Sequence, residues 1–232
     1  MCGRFALSIL PGQFQLAFSC APPDGLTESW NVTPDRQIPI VRIGEHGREV
    51  AFARWGLLGP WMKEANDPGR QINARSESAA EKPMFRDSFK KGRCLIPATA
   101  FYEWQKAASG PARPFCVALA SREPFAFAGL WRRNRLSDGS LLESCAILTT
   151  DASPLLRPIH PRMPVILPAT SHELWLDPTL KDAEFLQALL APVPDRELVR
   201  WEIGRAVNSP KNDGPQLMEP VAVPAAAQAS LL

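Results

Sequence analysis

Short runs of β-branched, aromatic and aliphatic residues dominate the chain. Pro, Gly, Asp or Ser breaks them every few positions, and stretches with helical period are few and brief. Residues 3–7 read as a short strand, and Pro11 opens a helix over 11–18. Residues 19–37, rich in Pro, Asp, Thr and Ser, read as loop. The segments 38–43 and 48–55 predict a hairpin around 44–47, followed by a long loop over 56–70 that carries an exposed Trp61. Loops of that length in a folded domain are often functional. Ser76 is the expected N-cap of a short helix, and 84–91 predicts a second one. Residues 93–97 and 99–105 are β-rich, 114–120 and 124–131 predict another hairpin, and 144–150 is a central apolar strand. Residues 159–167 cross two prolines as a loop entering a strand. Helices are expected over 169–176 and 182–190, a last strand region over 197–208, and a frayed tail over 222–232. No repeat and no composition break marks a second domain. The pattern predicts an α+β fold: a single domain over 1–220 with a strongly curved, mainly antiparallel sheet or barrel, short peripheral helices, and 221–232 as tail.

Composition adds limits. The 24 prolines are spread along the chain, as many short strands and turns require. No apolar run approaches the ~20 residues of a membrane span. The five cysteines include no C-x-x-C pair, which argues against a zinc site, and no cofactor is expected. Their odd number, with no secretory leader, predicts free thiols in a reducing cytosol. The net charge of +2 does not by itself imply a nucleic acid. Its distribution says more: residues 1–160 hold 20 Lys/Arg against 15 Asp/Glu, and residues 161–232 hold 6 against 9. A modestly basic N-terminal face fits a polyanion, although a solvated surface of mixed charge gives the same balance.

Four residues carry candidate chemistry. If Met1 is removed, Cys2 presents an α-amine (pKa roughly 7.7–8.0) and a thiol (about 8.5) on one residue. A 1,2-aminothiol condenses with an aldehyde to a Schiff base, which the sulfur closes to a thiazolidine. Asn73, Glu103 and His160 stand in otherwise apolar, structured settings. Each alone fits a structural role: a turn amide, a solvent-facing strand carboxylate and a hydrogen-bonded histidine, just as Cys2 fits a small apolar residue of an edge strand. Together they make a nucleophile, a carboxyl acid/base, an imidazole and a positioning amide. Arg4, Arg75 and Arg162 each lie within three residues of one of them, and Trp30, Trp61 and Trp104 interleave with these arginines. Guanidinium forks on phosphates and aromatic rings on bases are how proteins hold single-stranded nucleic acid. Trp55 and Trp131 are expected in the core.

Six ordered blocks, MCGRF, RWGLLGPW, NARSES, RCLIPATAFYEW, HPRMPVIL and AVNSPKNDGPQL, resemble the SOS-response-associated peptidase (SRAP) family over nearly the whole chain. One departure is Gly59-Pro60-Trp61, where Pro-Ser-Trp is commoner. The resemblance implies covalent, single-turnover capture of abasic sites in single-stranded DNA. Cys2 would be the nucleophile, with Asn73, Glu103 and His160 in the roles named above and the three arginines on phosphates. It further implies a cytoplasmic, monomeric protein that associates with the nucleoid when bound to damage. Three other readings stand beside it. An N-terminal-cysteine amidohydrolase also begins Met-Cys-Gly; the family's name points to a peptidase acting on its own N-terminus or on other chains; and a binding module would hold damaged DNA without a covalent step.

Overall fold

The computed structural model describes residues 2–221. Its centre is a ring of five strands. β3 (Gln37–Gly44) and β4 (Gly47–Trp55), following β1 (Phe5–Leu7) and β2 (Ser29–Val32), form the predicted hairpin in unbroken register from Gln37↔Arg54 to Gly44↔Gly47. β6 (Arg93–Ala98) pairs with β3 on one side and with β9 (Phe125–Arg135) on the other. β9 pairs antiparallel with β10 (Leu141–Asp151), and β10 closes the ring by running parallel to β4 at Ser144↔Arg54 and Cys145↔Trp55. Closure removes the sheet edges, and Trp55, Cys94, Ile96, Leu130, Cys145 and Ile147 have no exposure at all. Packing is tight enough that a Cβ on Gly129 would come within 2.8 Å of Cys94 Sγ and Ile96.

A second, antiparallel sheet lies against the barrel in the order β13 (Leu198–Glu202), β8 (Arg113–Leu119), β7 (Ala100–Gln105), β1, β2. Phe5 of β1 joins the two layers, its ring edge-on to Trp55 at 5.2 Å and to Phe127 at 5.8 Å. Three short strands extend the barrel wall, two of them, β5 and β11, at the site. β5 (Asn73–Arg75) runs parallel to β10, β11 (Arg162–Pro164) runs antiparallel to it, and β12 (Ile166–Leu167) pairs with β9. The helices are short and peripheral: α1 (Pro11–Phe18), α2 (Ser76–Ala79), α3 (Arg86–Lys91), α4 (His172–Leu176) and α5 (Ala183–Ala188). Among the described residues no helix is long and apolar enough to cross a membrane, and all five cysteines are free thiols.

Several local expectations change. The stretch read as loop over 19–37 contains β2, whose polar Ser29 and Asn31 are buried because the segment 207–213 supplies their partners. The segments 114–120 and 124–131 are strands but not a hairpin: β8 lies in the outer sheet and β9 in the barrel, so the turn between them changes layers. Ser76 is the first helical residue rather than the cap; Arg75 precedes the helix, and the Ser76 hydroxyl is buried without a hydrogen bond among the described residues. The expected helix over 169–176 begins as a 3-10 turn, and the last strand stops at Glu202. Trp55 is in the core, its Nε1–H donating to Ile72 O at 2.9 Å. Trp131 is half-buried under the Arg42 guanidinium, 4.1 Å from its ring centroid. The expected tail over 222–232 lies outside the described residues.

Candidate active site at the chain start

The register of β1 against β7 carries the beginning of the chain toward Glu103. Phe5 faces Phe101, and Tyr102 N–H donates to Arg4 O at 3.0 Å. Cys2 is fully buried, with its thiol 3.8 Å from Arg4 O. Asn73 reaches it from β5: its Nδ2–H donates to Cys2 O at 2.8 Å. Asn73 Oδ1 is buried with no hydrogen-bond partner among the described residues, an acceptor still open beside the chain start. Such an orphan costs free energy in a finished core and marks a place for a missing donor.

Glu103 is 7 % exposed. Burial pushes its carboxyl above the ordinary carboxylate range, with the nearby His160 pulling the other way. Burial also pushes the Cys2 thiol up, and the negative charge of Glu103 adds to that rise. The two groups therefore sense each other, and both are held toward their protonated forms. His160 lies on the turn before β11, where its Nδ1 stands 3.0 Å from both Arg162 N and Arg162 O, so the ring is seated against the Arg162 backbone in either tautomer. The structure thus brings together all four residues that the sequence singled out. A cavity of about 730 Å³ between α1 and β12 is lined by none of them. Among the described residues no cluster of three or more His, Cys, Asp or Glu could hold a metal ion.

A family model described as "SOS response associated peptidase (SRAP)" matches residues 1–210. The chain belongs to the SRAP family. It is 38 % identical over 224 residues to the abasic site processing protein YoqW of Bacillus subtilis, covering 94 % of this chain and 99 % of that one. It is 27 % identical over 231 residues to the abasic site processing protein YedK of Escherichia coli, covering 95 % and 100 % of the two chains. A solved structure of a Bacteroides thetaiotaomicron protein superposes with a TM-score of 0.84 at 26 % identity, covering 95 % of this chain and 100 % of that one.

Around this SRAP centre the three arginines differ sharply. Arg4 Nη1 donates to Asn31 Oδ1 and to Val207 O, both at 2.7 Å, and its Cζ stands 5.9 Å from the Trp104 ring centroid. Trp104 Nε1–H donates in turn to Asn208 Oδ1 at 2.7 Å. Arg75 is exposed and makes no ion pair among the described residues. Arg162 is gripped by Glu77, Asp151 and Thr149. Trp61 is 58 % exposed, whereas Trp30 and Trp104 are half-buried.

The Trp61 loop is built rather than slack. Leu57 and Gln71 exchange backbone hydrogen bonds at 2.8 and 2.9 Å, Asn134 Nδ2–H donates to Gly59 O at 2.9 Å, and Arg54 donates to Ala65 O at 2.6 Å. The indole of Trp61 lies against Gly59: a Cβ there would be 3.1 Å from the ring and 2.9 Å from Met84 Sδ. The Gly-Pro-Trp departure therefore has a steric basis in this chain.

Residue types alone missed Asn31 and Asp213. Asn31 Nδ2 donates to Asn212 O at 2.7 Å and to Ser209 O at 3.0 Å, while Asp213 accepts from Ser29 Oγ at 2.9 Å and Trp30 N at 2.6 Å. They bolt the AVNSPKND block to β2 and so shape the ground under Arg4. That block carried the family likeness, but spacing gave it no partner.

Proposed function

We propose that this protein processes abasic sites by capturing them covalently in single-stranded DNA, through the α-amine and thiol of Cys2 once Met1 is removed. The observation that carries the reading is the Asn73 grip on Cys2 O, which fixes the backbone of a buried cysteine beside Glu103. A group held in attack geometry lowers a barrier by several kcal/mol. The names of the relatives supply the substrate class.

The pKa directions order the steps. Burial keeps the Cys2 thiol protonated, and a thiol is a far weaker nucleophile than a thiolate. The neutral amine therefore attacks C1 of the ring-opened sugar first and gives a carbinolamine. Glu103, held toward its protonated form by burial, delivers its proton to the departing hydroxyl, which leaves as water. The Glu103 carboxylate then takes the thiol proton as sulfur bonds to the iminium carbon. Glu103 is restored, and the net change is aldehyde plus aminothiol to thiazolidine plus water. His160 serves the ring oxygen of the sugar during opening. Closure by sulfur removes the Schiff base that would otherwise lead to β-elimination and strand breakage. One capture consumes one protein molecule, and a single chain supplies every residue named, so a monomer suffices.

The exposed Arg75 and Trp61 offer a phosphate contact and a stacking face to a single strand. Arg4 presents what remains of its fork beside Trp104. Trp30 adds its half-buried ring on β2. In the cell this reading puts the protein in the cytoplasm, on the nucleoid wherever single-stranded lesions occur. The test is incubation with a single-stranded abasic oligonucleotide, which should give an adduct that survives denaturation. A complex that dissociates on heating in every condition would favour the non-covalent binding module instead.

A further inference from the structure

The turn that joins β2 to β3, Thr33-Pro34-Asp35-Arg36, carries a charged residue where the backbone favours glycine. Asp35 sits at φ +70°, in the left-handed region. Pro34 precedes it, and Arg36 N–H donates to Thr33 O at 3.4 Å, which is the order of a type II turn, whose third position suits Gly or Asn. A side chain held there costs conformational energy that its contacts must offset. Those of Asp35 are strong. Arg70 grips the carboxylate at two points, Nε to Oδ1 and Nη2 to Oδ2, both at 2.8 Å, and Arg54 Nη2 donates to Oδ1 at 2.8 Å. The hydrogen bond from Arg70 outweighs partial burial and, with Arg54, holds the Asp35 carboxyl below the usual carboxylate range.

The loop over 56–70 has two limbs. The near limb, up to Glu64, is tied to the barrel: Asn134 Nδ2 donates to Gly59 O and Met62 O, and Ser137 N–H donates to Lys63 O. The far limb, residues 65–70, has no such floor. Besides the adjacent Gln71, the hydrogen bonds that reach it from the rest of the described residues come from Arg54, to Ala65 O and Asn66 Oδ1, and from the pairing of Asp35 with Arg70. One carboxylate therefore joins the β2–β3 turn, strand β4 and the far limb. That limb in turn supports Trp61. A Cβ on Gly69 would come within 2.8 Å of Met62 Cε, so the side chain next to Trp61 rests on it.

We infer that Asp35 is a positioning residue which, through its two-point pairing with Arg70 and its bond to Arg54, locks the far limb of the loop and so sets the face that Trp61 offers to a single strand. A bidentate pair fixes direction as well as distance, which a single hydrogen bond does not. The backbone exchange between Leu57 and Gln71 stands between this lock and Asn73. Asp35 therefore acts on strand binding and not on the reacting groups. The inference rests on the proposed stacking role of Trp61 for its effect on binding, but not for its effect on the loop.

The experiment has two arms. Asp35→Gly suits the backbone and removes the carboxylate; Asp35→Asn also tolerates that backbone and keeps one acceptor without the charge. Both should fold and melt close to the unmutated protein. The first arm needs no DNA. Hydrogen exchange read by mass spectrometry should rise in peptides covering residues 62–70 of Asp35→Gly, less in Asp35→Asn, and stay unchanged in β6 and β9. The second arm is a titration with an unmodified single-stranded oligonucleotide. Asp35→Gly should raise Kd by about fivefold, a fraction of the loss expected from removing the indole. The salt slope should stay, because no phosphate contact is lost. In the Trp61→Ala background Asp35→Gly should cost nothing further, since the two changes remove one function. The rate of adduct formation at saturating abasic strand should also stay. Unchanged exchange over 62–70, or binding losses that multiply with Trp61→Ala, would overturn the inference. So would tighter binding with a steeper salt slope, since Asp35 would then be masking Arg54 and Arg70 as phosphate ligands. If the unmutated protein binds no single strand, the capture reading fails and takes the binding effect with it, while the exchange arm still decides whether Asp35 locks the limb.

Discussion

Cys94 and Cys145 in the barrel and Cys2 at the chain start share their burial and differ in their surroundings. All three are fully buried, and burial pushes all three thiols up. Inside the barrel the rise at Cys145 comes from burial, and Cys94 is affected after burial by Cys145 and, in the opposite sense, by Arg42. Cys2 has Glu103 beside its thiol, Asn73 on its carbonyl and, once Met1 is gone, its own amine. Burial alone makes a cysteine a small hydrophobe; in the proposed reaction the carboxyl and the amide turn the same burial into a controlled site. The contrast extends to the two regions as wholes. The barrel interior is apolar and its polar backbone is paired in ladders. The strands β2, β5, β7 and β10 bury Asn31, Asn73, Glu103 and Thr149 respectively, and Asn73 Oδ1 is left open. Stability concentrates in the first region, and the proposed chemistry in the second.

The largest expected effect breaks the cysteine comparison directly. Cys2→Ala should abolish the denaturation-resistant adduct, leaving Schiff-base chemistry that shows as strand cleavage and a borohydride-trappable complex. Cys145→Ala should keep the adduct and lower unfolding stability by roughly 1–3 kcal/mol. A heat-stable adduct formed by Cys2→Ala without borohydride would remove Cys2 from its role. Next come two tryptophans six positions apart. Trp55→Ala should destabilise by about 3–5 kcal/mol in a denaturant melt. Trp61→Ala should melt like the unmutated protein while losing roughly 1–3 kcal/mol of single-strand binding.

Glu103→Gln should slow adduct formation by roughly 10²-fold in single-turnover assays, with little change in binding. Its stability has a definite sign. The folded protein holds the Glu103 proton above the pH at which the unfolded chain loses it. Between the ordinary carboxylate value and the raised one, stability therefore falls as pH rises. Glu103→Gln should abolish that decline and be the more stable protein above the window, with no such difference below it. A Glu103→Gln melt that tracked the unmutated protein across pH 4–9 would mean that the carboxyl is not raised. The smallest effect belongs to Arg75→Ala, which should lower the log–log salt slope of single-strand binding by roughly 0.7. An unchanged slope would place Arg75 off the strand.

Legibility in the sequence followed the same divide. The hairpin of β3 and β4, the strand β10 and the helix from Pro11 to Phe18 were readable because period and punctuation are local properties. The four candidate residues were readable as a set of residue types, and the ordered blocks placed the chain in its family. What stayed hidden was long-range pairing. β2 looked like loop because Ser29 and Asn31 are polar, and their partners lie about 180 residues away at 209–213. β8 and β9 looked like a hairpin because a short Pro-containing turn joins two strands; that the turn changes sheets depends on partners elsewhere. The pairing of Arg162 with Glu77 and Asp151 was hidden as well, because those carboxylates come from two other elements of the chain.

The central claim is that a processed Cys2, held by Asn73 beside Glu103, closes a thiazolidine on an abasic site. Intact mass spectrometry of the protein after reaction with a single-stranded abasic oligonucleotide tests it most directly. The account predicts one denaturation-resistant species, whose mass is the protein without Met1 plus the oligonucleotide minus one water, with fragmentation placing the link on Cys2. A link on any other residue, an adduct that retains Met1, or no covalent species at all would contradict it.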